Sequence, residues 1–387
     1  MPFPYTFPIT FDIEQQVSRR AQSDIEVKLY DRDLTTPVLV DNLTEKVQGL
    51  EFSTRLPGGF HICSFKLKAD LPKAWTWISQ YAFYRIVITD GKKTLFEGRL
   101  EDIELGAGNA GATAYGYFAN LTDYPYRTAY NAVASVVIKA VLTAACTQIS
   151  ADQTHIDATD VTITSGADAS YLDIYPNQIV DKLSAFSDST KGQWDFAIWE
   201  DRIAYLTKRA VSSVNWGVNL GDLASFKLKH RAGDMWNSVY AVYDAGGLAR
   251  TADADDTASQ AKYGLTRQYV VPNLGTVAAA AAQGNRDGWL ESHKDIWPKL
   301  EDITLGPTVF DSNGVPYPSS WVRAGEVIRI KDLVPATGQL DTVTRDALRT
   351  FFIVETNYNA DTGENSLVVE TESADLDAIL ARSLEGV

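Results

Sequence analysis

Tyr84-Arg85-Ile86-Val87-Ile88-Thr89-Asp90-Gly91-Lys92-Lys93-Thr94-Leu95-Phe96-Glu97-Gly98-Arg99-Leu100-Glu101-Asp102-Ile103 is the stretch on which the fold turns. Tyr84, Ile86 and Ile88 occupy alternate positions, the period of a strand with one buried face. Asp90-Gly91 is a hairpin signal, because glycine and aspartate tolerate the positive φ angles that a tight two-residue turn demands. The chain returns through Leu95 to Ile103. It then crosses a glycine-rich loop, Gly106 to Gly111, and alternates again at Thr113, Tyr115 and Tyr117.

The same signals extend upstream. Ile25, Val27 and Leu29 alternate with Glu26 and Lys28, and Phe65 and Leu67 alternate with Lys66 and Lys68. Short strands at regular spacing predict a small barrel or sandwich over residues 21–124. The first 20 residues read as an arm, in which Pro2, Pro4 and Pro8 are interleaved with Phe3, Tyr5, Phe7 and Phe11. Proline removes backbone donors and favours extended chain. The arm's aromatic side chains need somewhere to dock, either on a neighbouring subunit or on its own domain.

After Tyr124-Pro125 the period changes. Val133, Val136, Val137, Ala140, Val141 and Ala144 follow helical spacing. A second helix is expected over Asn177–Phe186, with Asn177 as its N-cap. Trp194, Phe196 and Ile198 then alternate, turn at Glu200-Asp201, and return through Ile203 and Tyr205. Residues 125–222 therefore read as an α+β middle domain. Strand signals resume at Phe226 and Ser238–Tyr243, with a small acidic loop from Ala245 to Ser259 and an alanine-rich helix from Thr276 to His293. They continue through Val327–Ile330, Phe351–Val354 and Leu367–Val369. Residues 223–375 thus form a second β domain with an insertion at about 245–300, followed by a tail at 376–387. Ser64-Phe65-Lys66-Leu67-Lys68 recurs as Ser225-Phe226-Lys227-Leu228-Lys229, and the order strand, strand, glycine turn, strand recurs with it. Two related β domains would then flank the middle one.

The net charge of −15 opposes binding to phosphate backbones, yet suits a wall past which DNA must slide. Cys63 and Cys146 are the only cysteines; they are expected to be buried thiols, and sequence alone leaves their pairing open. No apolar window reaches the ~20 residues a membrane helix needs. The N-terminus shows no basic leader, so synthesis and folding in a cytoplasm are expected.

Candidate chemistry fails on context. Gly106-Ala107-Gly108-Asn109-Ala110-Gly111 matches a dinucleotide fingerprint, but that loop must open a helix, and here a strand-like run follows. His61, His155, His230 and His293 lack metal spacing. Asp253, Asp255 and Asp256 lack the glycine and closing glutamate of a calcium loop. The nine tryptophans could offer a sugar platform, but Trp194 and Trp199 sit in strand patterns, where packing is the commoner role. No catalytic, cofactor-binding or metal-binding residue is assigned. A protein that binds or cleaves cell-envelope glycans remains the alternative.

Phe96–Ile103 followed by Tyr115-Gly116-Tyr117-Phe118-Ala119-Asn120-Leu121 resembles the first domain of phage tail hub proteins. So, in order, do Gly192–Phe196 with Arg202–Tyr205, Trp236–Tyr243 with Ala261–Gly264, and Val322–Ile328 with Phe352–Tyr358. The resemblance covers about residues 21–375. It implies two tube-like β-barrel domains flanking an α+β middle domain, and a homotrimer forming a pseudo-hexameric ring. That ring would join a hexameric tail tube or distal tail protein to a spike or central fibre protein, and DNA would pass through it without specific binding. It further implies a virion component at the tail tip, with no enzyme activity. The chain ends about a dozen residues past the second domain, so wall-degrading or receptor-binding activity is expected on another protein.

Overall fold

The computed structural model describes most of residues 24–145, 175–180 and 194–333, and all of 349–370. The chain is α+β and mainly β. Its first half comprises β1 (Ile25–Tyr30), β2 (Leu39–Asn42), β3 (Val47–Arg55), β4 (Gly58–Lys68), α1 (Leu71–Gln80), β5 (Arg85–Asp90), β6 (Lys93–Gly106) and β7 (Asn109–Gly116). The strands pair antiparallel in the order β2-β1-β5-β6-β7-β4-β3. Alternation does what the sequence predicts. Val27 lies opposite Ile88, which lies opposite Phe96, and all three are buried with Leu29, Ile86, Leu100, Phe65 and Leu67. Trp77 of α1, a helix the sequence reading passed over, closes this core.

Two glycines set the packing of the meander. Gly98 and Gly116 are directly opposite each other. A Cβ at Gly98 would lie 2.4 Å from the Tyr115 carbonyl oxygen, and one at Gly116 would lie 1.8 Å from that of Phe60. Only a residue without Cβ permits this approach of backbone to backbone. The glycines within Phe96-Glu97-Gly98-Arg99 and Tyr115-Gly116-Tyr117 are therefore packing residues.

In the middle segment, α2 (Ala134–Ala145) buries Val137, Ile138, Val141 and Leu142. β8 (Trp194–Ile198) and β9 (Ala204–Lys208) form the expected hairpin, and β8 runs parallel to the start of β4. Helical backbone is already present at Pro176, so Asn177 lies inside the helix and not at its cap. Proline suits the first helical position because its missing N–H would be unsatisfied there anyway. The rest of that expected helix, the N-terminal arm, Cys146, His155 and the tail at 376–387 lie outside the described residues.

The second half begins with β10 (Trp216–Asn219) and β11 (Leu223–His230). An inserted unit follows: β12 (Ser238–Asp244), β13 (Leu248–Arg250), β14 (Ala254–Asp255), α3 (Thr257–Tyr263), β15 (Gln268–Val271) and α4 (Ala279–His293). It has its own sheet and a small core around Val239, Ala241, Val271 and Ala282. The stretch expected as a plain loop from Ala245 to Ser259 thus holds β13, β14 and the start of α3. Asp256 caps α3 by accepting from Ser259 N at 2.8 Å. The main sheet resumes with β16 (Pro298–Leu305), β17 (Thr308–Asp311), β18 (Pro316–Pro318), β19 (Val327–Lys331), β20 (Thr350–Asn359) and β21 (Glu364–Glu370). β10, which the sequence reading placed in the middle segment, pairs with β17 and with β19.

The pairing β5-β6-β7-β4-β3 of the first half has a counterpart in β19-β20-β21-β16-β11, antiparallel throughout and in the same chain order. This repeat does not align the two Ser-Phe-Lys-Leu-Lys runs. The first lies in β4, while the second lies in β11, which occupies the place of β3. Their environments differ as well: Phe65 and Leu67 are 2% and 3% exposed, Phe226 and Leu228 are 43% and 37%. The halves meet at β20. One edge of β20 pairs with β21, and its other edge is shared end to end by β19 and β3.

Candidate functional site

The structure scatters the chemical motifs and does not gather them. Gly106 pairs with Asn109 across the β6–β7 hairpin, and no helix follows the loop, so no N-terminal amides face a phosphate there. His61 lies 3.3 Å from Ser53 Oγ, its pKa lowered by burial and by the nearby Arg55. His293 stacks on Trp289 at 3.8 Å between ring centroids, near the end of α4. Asp256 is a helix cap that also pairs with Lys294 at 3.4 Å. Trp199 packs edge-on against Phe60 at 5.1 Å and under the Arg323 guanidinium at 5.2 Å, so its face is not open to a sugar. Cys63 is a free thiol, fully buried, and burial pushes its pKa up. Among the described residues no group of three or more His, Cys, Asp and Glu side chains is placed to hold a metal ion. Among the same residues no helix is long and apolar enough to cross a membrane.

The motif residues instead form two polar joints. In the first, Glu97 on β6 is 2% exposed and accepts from Tyr117 Oη at 2.7 Å, Arg85 Nη1 at 3.3 Å and Asp201 N at 3.2 Å. A carboxylate this deep persists because it is paired and hydrogen-bonded. Burial, then the charge of Glu97, holds the Tyr117 hydroxyl well above its ordinary pKa. Beside this joint is a cavity of about 550 Å³ lined by Arg32, Arg85, Arg99, Phe83, Asn120 and Asp123, among others. Its cations are largely spent within the chain. Arg99 pairs with Glu101 at 2.6 Å and Asp123 at 2.5 Å, and Arg32 donates to the Ala82 and Gln80 carbonyls.

The second joint ties the two halves together. Thr54 Oγ1 is 2.7 Å from Thr356 Oγ1 and accepts from Ala324 N at 2.8 Å. Glu326 accepts from Trp216 Nε1 at 2.6 Å and Arg323 N at 2.9 Å. Arg323 donates to Glu200 at 2.9 Å; burial opposes ionisation of Glu200, but the Arg323 charge prevails and holds its carboxyl below the ordinary pKa. Trp321 Nε1 donates to Asp90 at 3.1 Å. Val322–Glu326, one of the runs behind the family resemblance, is therefore a clasp between halves.

The remaining feature lies at the sheet's ends, where sequence reasoning did not look. β2 pairs only with β1 among the described residues, and Val38, Leu39 and Val40 are 60%, 48% and 38% exposed. β11 pairs only with β16 among those residues and carries exposed Phe226 and Leu228. The described residues thus carry a repeated strand order and a polar clasp between the two halves.

The fold is that of tail proteins of phages and prophages. The tail protein from Neisseria meningitidis MC58 superposes with a TM-score of 0.56 at 11% identity, over 92% of this chain and 99% of that one. The 43 kDa tail protein of prophage MuSo2 from Shewanella oneidensis gives 0.54 at 11% identity, over 92% and 99%. Prophage tail protein gp18 from Listeria monocytogenes EGD-e gives 0.52 at 11% identity, over 93% and 100%. At such identity the likeness is one of fold. No family model and no curated protein sequence matches the chain.

Proposed function

We propose that the chain is a structural, non-enzymatic hub of a phage tail tip or baseplate, carried in the virion. Three copies form a ring in which each chain supplies two tube-like β units. The first spans about residues 21–124; the second runs to about 375 and takes in β10 as well as the strands after 223. Threefold symmetry with two like units per chain yields six similar positions around the axis. Such a ring can seat a hexameric tail tube or distal tail protein on one face and a threefold spike or fibre on the other, while DNA passes through its centre.

The observation that carries this reading is the repeated strand order, β3-β4-β5-β6-β7 and β11-β16-β19-β20-β21, within one chain that has a tail-protein fold. The net charge of −15 fits a channel that must not hold DNA. Light scattering on the eluting species and negative-stain imaging down the symmetry axis test it. A trimer with an open centre and six similar lobes is expected. A chain that stays monomeric at concentrations well above micromolar refutes it.

A further inference from the structure

The strand repeat holds residue by residue. In the first half Leu100 N donates to the Tyr84 carbonyl at 2.8 Å, and Phe83 N donates to the Leu100 carbonyl at 2.7 Å. In the second half Ile353 N donates to the Glu326 carbonyl at 2.9 Å, and Gly325 N to the Ile353 carbonyl at 2.8 Å. Phe83 and Gly325 both have positive φ, 66° and 90°. The β6–β7 register shifts between Leu100 and Asp102, and the β20–β21 register between Ile353 and Glu355. Leu100 thus corresponds to Ile353, and Asp102–Gly106 to Glu355–Asn359. Carried on through β7 and β4, and through β21 and β16, the registers set Lys227 of β11 where β3 has Glu51. Phe226 and Leu228 then stand for Leu50 and Phe52.

The halves differ in what this equivalence leaves open. Glu355–Asn359 of β20 receives β3, with Tyr358 opposite Phe52, both buried and with ring centroids 5.0 Å apart. On the same edge of β6, Asp102–Gly106 pairs with no strand among the described residues, because β5 reaches only as far as Arg99. The outer edge of β11 is equally free among them. The counterparts of the buried pair, Leu105 and Leu228, are both exposed, and so is Phe226.

We infer that β11 of one copy pairs antiparallel with the Asp102–Gly106 end of β6 in the next, repeating between copies the β3–β20 joint within each. The transferred register sets Leu228 opposite Leu105 and Lys227 opposite Gly106. A free strand edge presents a row of unused backbone donors and acceptors, which an incoming strand satisfies. The occupant is a second copy because the chain already makes this joint once, between its own halves, and keeps one unused side of it on each half. The contact is head to tail and propagates around an axis until it closes. Leu248 and Val270 are also exposed, but they lie in the inserted unit, and β2 likewise lies outside the five-strand repeat, so the equivalence assigns them no neighbour. The inference rests on the ring reading above and names the strands that make its seam.

The test uses the whole chain with Cys146→Ser; Cys63 is buried and does not compete. Leu105→Cys and Leu228→Cys are made in separate, differently tagged pools, co-assembled, and treated with a short bis-maleimide. A covalent dimer carrying both tags is expected, with much weaker linkage within either pool alone. Leu248→Cys replaces Leu228→Cys as the control, since its side chain is more exposed but the seam leaves it far from Leu105. As a second measurement, Phe226→Lys with Leu228→Lys leaves the melting temperature of the fold within a few degrees of the parent, but converts the oligomer to monomer. An oligomer that forms without the mixed cross-link, that links Leu248→Cys equally well, or that survives the lysine pair, overturns the seam while leaving the ring reading intact. A monomeric parent chain overturns both.

Discussion

Thr54→Val is the sharpest probe of the clasp between the halves. The replacement keeps shape and volume, so no cavity term enters. It removes the oxygen that accepts from Ala324 N at 2.8 Å and faces the Thr356 hydroxyl at 2.7 Å. Thr54 and Thr356 are only 2% and 3% exposed, so water does not replace the lost partner. Each buried group left unpaired costs about 1–3 kcal/mol. Two are orphaned, so the expected loss is roughly 2–6 kcal/mol. Thr356→Val leaves only the Thr54 hydroxyl without its side-chain partner, because Thr54 still accepts from Ala324, and costs roughly half as much. In the double variant the Ala324 N–H alone is orphaned. The double variant is therefore more stable than Thr54→Val by roughly 1 kcal/mol or more, although it carries one more substitution. Urea unfolding at fixed protein concentration, followed by tryptophan fluorescence, reads all three. A double variant less stable than Thr54→Val, or a Thr54→Val loss below about 0.5 kcal/mol, refutes the claim that this buried pair bears on the joint.

Other tests follow from the meander. Gly98→Ala and Gly116→Ala force backbone apart and lose about 1–3 kcal/mol or more, while Gly111→Ala, whose Cβ would find its nearest neighbour at 3.8 Å, stays close to the parent in denaturation midpoint. Tyr117 has a raised pKa in the fold, so its stabilising contribution is complete below its unfolded value of about 10 and is lost as pH climbs beyond it, by up to about 1.4 kcal/mol per pH unit. Tyr117→Phe removes that part of the alkaline slope, measured as melting temperature against pH above 9.5 or so, and an unchanged slope contradicts the assignment.

Period-two alternation made β5, β6 and β7 legible, because each has one buried face and a tight turn between neighbours. The same signal misled at Ser225–Lys229. Alternation reports that a strand has two unlike faces; it does not report whether the apolar face meets a core, and at a sheet edge it need not. The helix α1 was passed over, although Pro72 is an early-helix signal at its start. The polar joints were beyond reach for another reason. Thr54 and Thr356, or Arg323 and Glu200, are brought together only by the pairing of β3 with β20, a contact across most of the chain. Asn177 looked like a cap by residue type, while Pro176 carried the stronger positional signal.

β20 lends one edge to β21 and divides the other between β19 and β3. Two globules joined by a tether can swivel, and a pull on one is absorbed by slack before the other feels it. Here the halves hold the same strand, so a pull along it loads several backbone hydrogen bonds at once, in shear, with no slack to take up. A body stitched this way transmits force as a single piece, and amide exchange in β20 is expected to be as slow as in the innermost strands of either half.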